Sequence, residues 1–206
     1  MQNQPEDTYK TIKGPSRGFY KDKGSKFIAL AYPVQSEKEV KQLLDDIKKE
    51  YHDARHHCFA WIIGHENTNQ RFNDDGEPSG TAGKPIYGQL LSHELFNVLI
   101  VVVRYFGGTK LGVRGLINAY KGAAKDAIDN NSIVTKTICN FYRISFDYLA
   151  MNDIMRIMKE YGLAQHSHDF DQACRIDFSV RKGHCQTVLN QFKKLQNVRI
   201  DFLRTE

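Results

Sequence analysis

From Val98 to Val103 the chain runs through six apolar residues in succession, four of them Val. A β-branched run of this length reads as a buried strand. Arg104, Tyr105 and Phe106 follow, and then four glycines, Gly107, Gly108, Gly112 and Gly115, fall within nine residues. Beyond them Leu116, Tyr120, Ala123, Ala124 and Ala127 recur at spacings of three and four, the stripe of an amphipathic helix. Strand, glycine turn and helix N-terminus together are a common backbone arrangement for holding an anion. Arg104, Lys110 and Arg114 surround the turn, and Lys121 follows on the helix. With Gly107 and Gly108 they form a candidate contact for phosphate or nucleic acid. The alternative is that the two glycines only turn a tight corner and the cations are solvated. The spacing is neither a Walker A loop, since no G-K-[ST] follows, nor the G-x-G-x-x-G dinucleotide fingerprint.

At 206 residues the chain has room for one large domain or two small ones. Its hydrophobic share of 41% and charged share of 26% are those of a globular protein. No apolar window approaches the roughly 18 residues of a membrane span, and Met1 to Lys13 lacks an apolar signal core, so a cytoplasmic location and no membrane partner are expected. Cys58, Cys139, Cys174 and Cys185 are too few and scattered for a disulfide framework. The net charge of +5 permits a polyanion partner. The sequence pI of about 8.9 stops just short of the strongly basic range.

Composition breaks near residue 137: all five prolines and 13 of the 15 glycines precede it. Two domains are expected, 1–137 and 138–206, with net charges of +3 and +2. In the first, strands fall at Ser16–Tyr20, Ser25–Tyr32, Cys58–Ile63 and Gln70–Asn73. Ser36 and Glu39 make a capping box for a helix whose stripe is Val40, Leu43, Leu44, Ile47 and Tyr51. His65 to Asn69 reads as a polar loop, and a further helix fits Pro85 to His93. In the second, Ile138, Tyr142, Ile144 and Phe146 share a strand face. A helix follows with Met151, Ile154, Met155, Met158 and Tyr161, then a strand over Ala164–Phe170 and a turn at Asp171-Gln172. Cys174, Ile176, Phe178 and Val180 alternate with polar residues in the next strand. Val188, Leu189, Phe192 and Leu195 mark a helix, and Val198, Ile200 and Phe202 a last strand. This βαββαβ order fits a ferredoxin-like unit.

Other chemistry is sparse. Asp74, Asp75 and Glu77 could hold a hard cation or act as paired carboxylates, but Asp-Asp-Gly is also ordinary turn sequence. His52, His56, His57 and Cys58 invite a zinc reading that finds no second ligand pair; no metal or cofactor is expected. Ser79 lacks a nucleophile elbow. On the open face of the second domain's sheet, Phe141 is the one aromatic among Arg143, Ser145, Arg175, Asp177, Ser179 and Arg181. That is not the stacking platform of an RNA-recognition motif, and a protein- or ribosome-facing docking module remains.

Three ordered blocks carry a resemblance: Ala54-Arg55-His56-His57-Cys58-Phe59-Ala60-Trp61, then Phe72 to Pro85, then Val102 to Leu116 with Ala119-Tyr120. Together they resemble the YigZ/IMPACT family, and Ile138 to Glu206 is similar to the small C-terminal domain of its bacterial members. The resemblance implies an α+β protein with a ribosomal-protein-S5-domain-2-like N-terminal domain and a ferredoxin-like C-terminal domain, both similar to domains of elongation factor G. It also implies association with RNA or the ribosome and an effect on translation, with no established reaction. Eukaryotic relatives regulate translation with an additional N-terminal domain that has no counterpart in this sequence. Two positions depart from the family pattern. Arg114 stands where L-G-x-G-G-L has glycine, and Asn118 where L-x-R-A-Y has arginine. If position 114 needed φ > 0, Arg114 would be strained.

The leading expectation is a factor that contacts RNA or the ribosome. A rival is an enzyme in which His56, Asp74, Asp75 and Glu77, with Thr81 and Lys84 beside them, converge with Gly107-Gly108 on a metal- or phosphate-dependent pocket. A third is a docking module that meets a protein through the C-terminal sheet.

Overall fold

The computed structural model describes residues 7–64, 69–169 and 174–206. They group into two compact units, Tyr9–Lys136 and Thr137–Glu206, with Asp7 and Thr8 belonging to the latter. The expected polar loop after Ile63 and the turn at Asp171-Gln172 fall largely or wholly outside the described residues.

The first unit is built on a five-stranded antiparallel sheet. Its strands are β2 (Ser16–Asp22), β3 (Ser25–Pro33), β4 (His56–Ile63), β5 (Asn69–Asn73) and β6 (Val98–Tyr105), in the order β2-β3-β6-β4-β5. The apolar run is the central strand β6, buried along its length except at Tyr105. Its alternation divides the core. Val98, Ile100 and Val102 pack under α2 (Gly83–Ser92) and α3 (Gly112–Asp129), while Leu99, Val101 and Val103 join Val40 and Ile47 of α1 (Glu37–Glu50). A strand covered on both faces has no polar side to present, which is why its sequence reads as one continuous run.

Ser36 caps α1 by accepting the Glu39 N–H at 3.3 Å, and the Glu39 carboxylate reaches back to the Gln35 N–H at 2.7 Å. A separate two-stranded sheet joins β1 (Thr8–Ile12) to β7 (Ile133–Thr137). Neither strand is signalled by alternation or an apolar run.

In the second unit, β8 (Cys139–Phe146), α4 (Met151–Glu160), β9 (Ala164–Asp169), β10 (Cys174–Arg181), α5 (Cys185–Phe192) and β11 (Val198–Thr205) follow in order. The sheet runs β11-β8-β10-β9, antiparallel throughout, which is the split βαβ arrangement. Its core joins Ile144, Ile154, Ile176, Phe178, Val188 and Phe192. Composition alone breaks the chain once, at residue 137, whereas the contacts attach Asp7 to this unit. Asp7 is buried, its carbonyl accepts the Ile138 N–H, and its carboxylate takes two hydrogen bonds from Arg181 at 2.6 and 2.9 Å.

Candidate functional site

The register of the first sheet sets the site. Arg104, near the end of β6, lies opposite Phe27 of β3 and His56 of β4, so the three share one face. Two residues back, Val102 pairs with Cys58 on the same face, beneath Tyr120 of α3. The loop between β5 and α2 crosses this end of the sheet and inserts Glu77. Glu77 Oε1 accepts from Arg104 at 2.5 Å and from the Tyr120 hydroxyl at 2.8 Å. His56 Nε2 is 3.9 Å from the same oxygen, beyond hydrogen-bond reach. Its Nδ1 lies 2.8 Å from the Asp75 carbonyl, which can only accept, so Nδ1 carries the proton of that hydrogen bond. Cys58 Sγ lies 3.0 Å from the Asp74 carbonyl and 3.3 Å from the Tyr120 hydroxyl. Burial pushes both the Cys58 thiol and the Tyr120 hydroxyl up, so both stay protonated. Burial also lowers the neighbouring His57 imidazole and favours its neutral form.

These residues form the floor of an open cavity of about 510 Å³. Arg55, His56, Glu77, Arg104 and Lys110 supply its polar lining; Phe106, Leu111, Val113 and Leu116 supply its apolar wall. Arg104 is buried between rings, its guanidinium 5.4 Å from the Phe27 centroid and 5.7 Å from that of Phe106. Arg55, Phe106, Lys110 and Val113 are exposed at the rim. The first turn of α3 opens here without a side-chain cap, so it offers backbone N–H groups and the positive end of its dipole.

The structure brings some of the candidate residues together and separates others. Lys110 lines the cavity, and Arg114 is exposed on the first turn of α3. Arg104 is not a free cation for phosphate, because its charge is answered by Glu77. Lys121 is exposed further along α3 and Lys84 is exposed on α2, and neither lines the cavity. Gly107 does permit a close backbone approach, but to the protein itself. A Cβ there would stand 1.9 Å from the Gly24 carbonyl carbon, and its N–H donates to Ser25 Oγ at 3.1 Å. Gly108 is exposed beside it, at φ +88. The left-handed position at the mouth of α3 is Gly112, at φ +72, whereas Arg114 is not among the positive-φ residues and carries no such strain.

The carboxylates part company as well. Asp74 accepts N–H groups from Gly80, Ala82 and Gly83, which caps α2 and starts it two residues before Pro85. Asp75 accepts the His57 N–H at 2.6 Å. Thr81 is buried and donates to the Pro78 carbonyl. The pocket therefore holds His56 and Glu77 but neither aspartate. Among the described residues no three His, Cys, Asp or Glu side chains are grouped to hold a metal. Arg55 and Phe106 join the site without having been singled out. Their signal was position, Arg55 just before β4 and Phe106 an aromatic just beyond the central strand.

The Impact N-terminal domain family matches residues 23–128. IMPACT family member YigZ of Escherichia coli (strain K12) is 36% identical over 138 residues, which are 66% of this chain and 68% of that protein. IMPACT family member YvyE of Bacillus subtilis (strain 168) is 35% identical over 153 residues, 74% of this chain and 70% of that protein. A crystal structure described as that of a hypothetical protein superposes with a TM-score of 0.74 at 25% identity, covering 97% of this chain and 99% of the other. The chain belongs to the IMPACT family. No helix of the described residues is long and apolar enough to cross a membrane.

Proposed function

We propose that this protein is a cytoplasmic factor that binds RNA, including RNA on the ribosome, and thereby modulates translation. The observation that carries this reading is the cationic rim of the cavity. Exposed Arg55 and Lys110 sit at its mouth, with Arg114 and the uncapped first turn of α3 adjoining. Fixed backbone dipoles beside exposed cations suit a phosphate backbone. Membership of the IMPACT family supports the link to translation. On the same reading, the first unit is the counterpart of domain IV of elongation factor G and of the second domain of ribosomal protein S5. The second unit is the counterpart of that factor's C-terminal domain.

The sheet face of the second unit favours a protein contact over base stacking. Phe141 is already flanked by His166, with centroids 4.9 Å apart, and by the Arg204 guanidinium at 4.2 Å, while Arg143 is engaged by Asp177. Filter binding of ribosomal RNA fragments across a salt series tests the proposal. The double substitution Lys110→Ala/Arg114→Ala is expected to weaken binding and flatten the salt slope by about 2, one per lost phosphate contact. Unchanged affinity and slope would overturn it.

A further inference from the structure

We infer that the cavity receives one unpaired base of a single-stranded RNA segment, stacked on Phe106, with its flanking phosphates outside on Arg55 and Lys110. The inference rests on the RNA-binding reading above and says which part of the RNA enters. Phe106 is 54% exposed although it directly follows the buried central strand. The Arg104 guanidinium, itself held by Glu77, lies over the ring at 5.7 Å from its centroid, and more than half of the residue stays open to solvent. Leu111, Val113 and Leu116 make the wall apolar, as a planar heterocycle requires.

The distribution of charge decides the orientation. The floor is the buried Glu77–Arg104 ion pair, whose charges cancel, with His56 beside it. A phosphate driven inward would find no free cation to meet its charge. A base edge is neutral and carries both donors and acceptors, so it can meet that pair without adding a charge. The exposed cations lie at the rim, where the sugar–phosphate chain would pass. A volume of about 510 Å³ is that of a small-molecule site, within the usual range of roughly 300–1,000 Å³, and it cannot admit a duplex whose bases are paired.

The test uses the full chain and a short RNA carrying one central 2-aminopurine, offered single-stranded and annealed to its complement. The single strand is expected to bind at least about tenfold more tightly than the duplex, with the 2-aminopurine emission quenched on binding. Phe106→Ala should weaken single-strand binding about tenfold and remove the quenching while leaving duplex affinity unchanged. Phe106→Leu, which keeps apolar bulk but has no aromatic face, should do the same and guards against a folding defect. Lys110→Ala/Arg114→Ala should weaken both forms together. Equal affinity for the two forms, or quenching that survives both Phe106 substitutions, would overturn the base pocket and leave the RNA-binding reading standing. Binding of neither form would overturn both.

Discussion

Arg104 and Glu77 are a charge pair taken out of water, and each makes the other tolerable. Removing one partner leaves a buried charge without an answer, which typically costs about 3–5 kcal/mol, whereas removing both leaves no charge to strand. Glu77→Ala is therefore expected to lower stability in urea by about that amount, and Arg104→Met/Glu77→Leu by distinctly less. A loss under about 1 kcal/mol for Glu77→Ala would contradict the pairing. Cys58 lies in the same cluster, fully buried with its thiol pushed up. It should resist iodoacetamide at pH 8 in the folded protein and react once the chain is unfolded, as peptide mapping can show. Neither role was legible locally. Glu77 sits in an acidic turn sequence, and only the loop's passage over the end of β6 places its carboxylate against Arg104 and Tyr120.

Among the elements, β6 and α3 were readable because one physical demand, burial of a whole face, repeats along each. β1 and β7 were not: β1 buries Tyr9, Thr11 and Ile12 and β7 is largely exposed, and five-residue strands that mix polar and apolar residues carry no clear hydrophobic period. The start of α2 was displaced for a related reason. Pro85 suits a helix start, but Asp74 captures the amides of Ala82 and Gly83 from a distance in sequence. Asp74→Ala should therefore cost about 1–2 kcal/mol. It should also speed hydrogen exchange at those two amides, and unchanged exchange there would remove Asp74 as the cap. Gly107→Ala acts on the turn between β6 and α3. Its methyl would collide with the backbone of Gly24, so the two turns must separate, with an expected loss of about 1–3 kcal/mol in thermal unfolding.

In the molecule as a whole, each unit has its own core, and the chain passes from one to the other twice, after Thr8 and after Lys136. Asp7 belongs energetically to the second unit. The Arg181 guanidinium beside it holds its carboxyl below the usual carboxylate value. A carboxyl depressed in the folded state stabilises fully above its unfolded value of about 3.9, and that contribution is lost as pH falls through the folded value. Asp7→Asn is thus expected to destabilise the second unit at pH 7. The difference from the parent protein should shrink as the pH drops below about 4, as denaturation followed at several pH values can read. A difference that persists unchanged to pH 2 would rule out the ionic part of this contact.

The sequence by itself determined what repeats or is contiguous: the central strand, the amphipathic helices, the βαββαβ order and the three ordered blocks that belong to the family. Period and spacing record burial on a face, and a face is a local property. Tertiary structure alone decided which charges are free. Arg104 and Glu77 are 27 residues apart, and Asp7 and Arg181 are 174 apart. Whether each is a solvated ligand group or half of a buried pair depends on which strand ends meet. The glycine turn was visible as a turn, but that Gly107 approaches Gly24 and that Phe106 opens onto a cavity follow from packing, which no local pattern encodes.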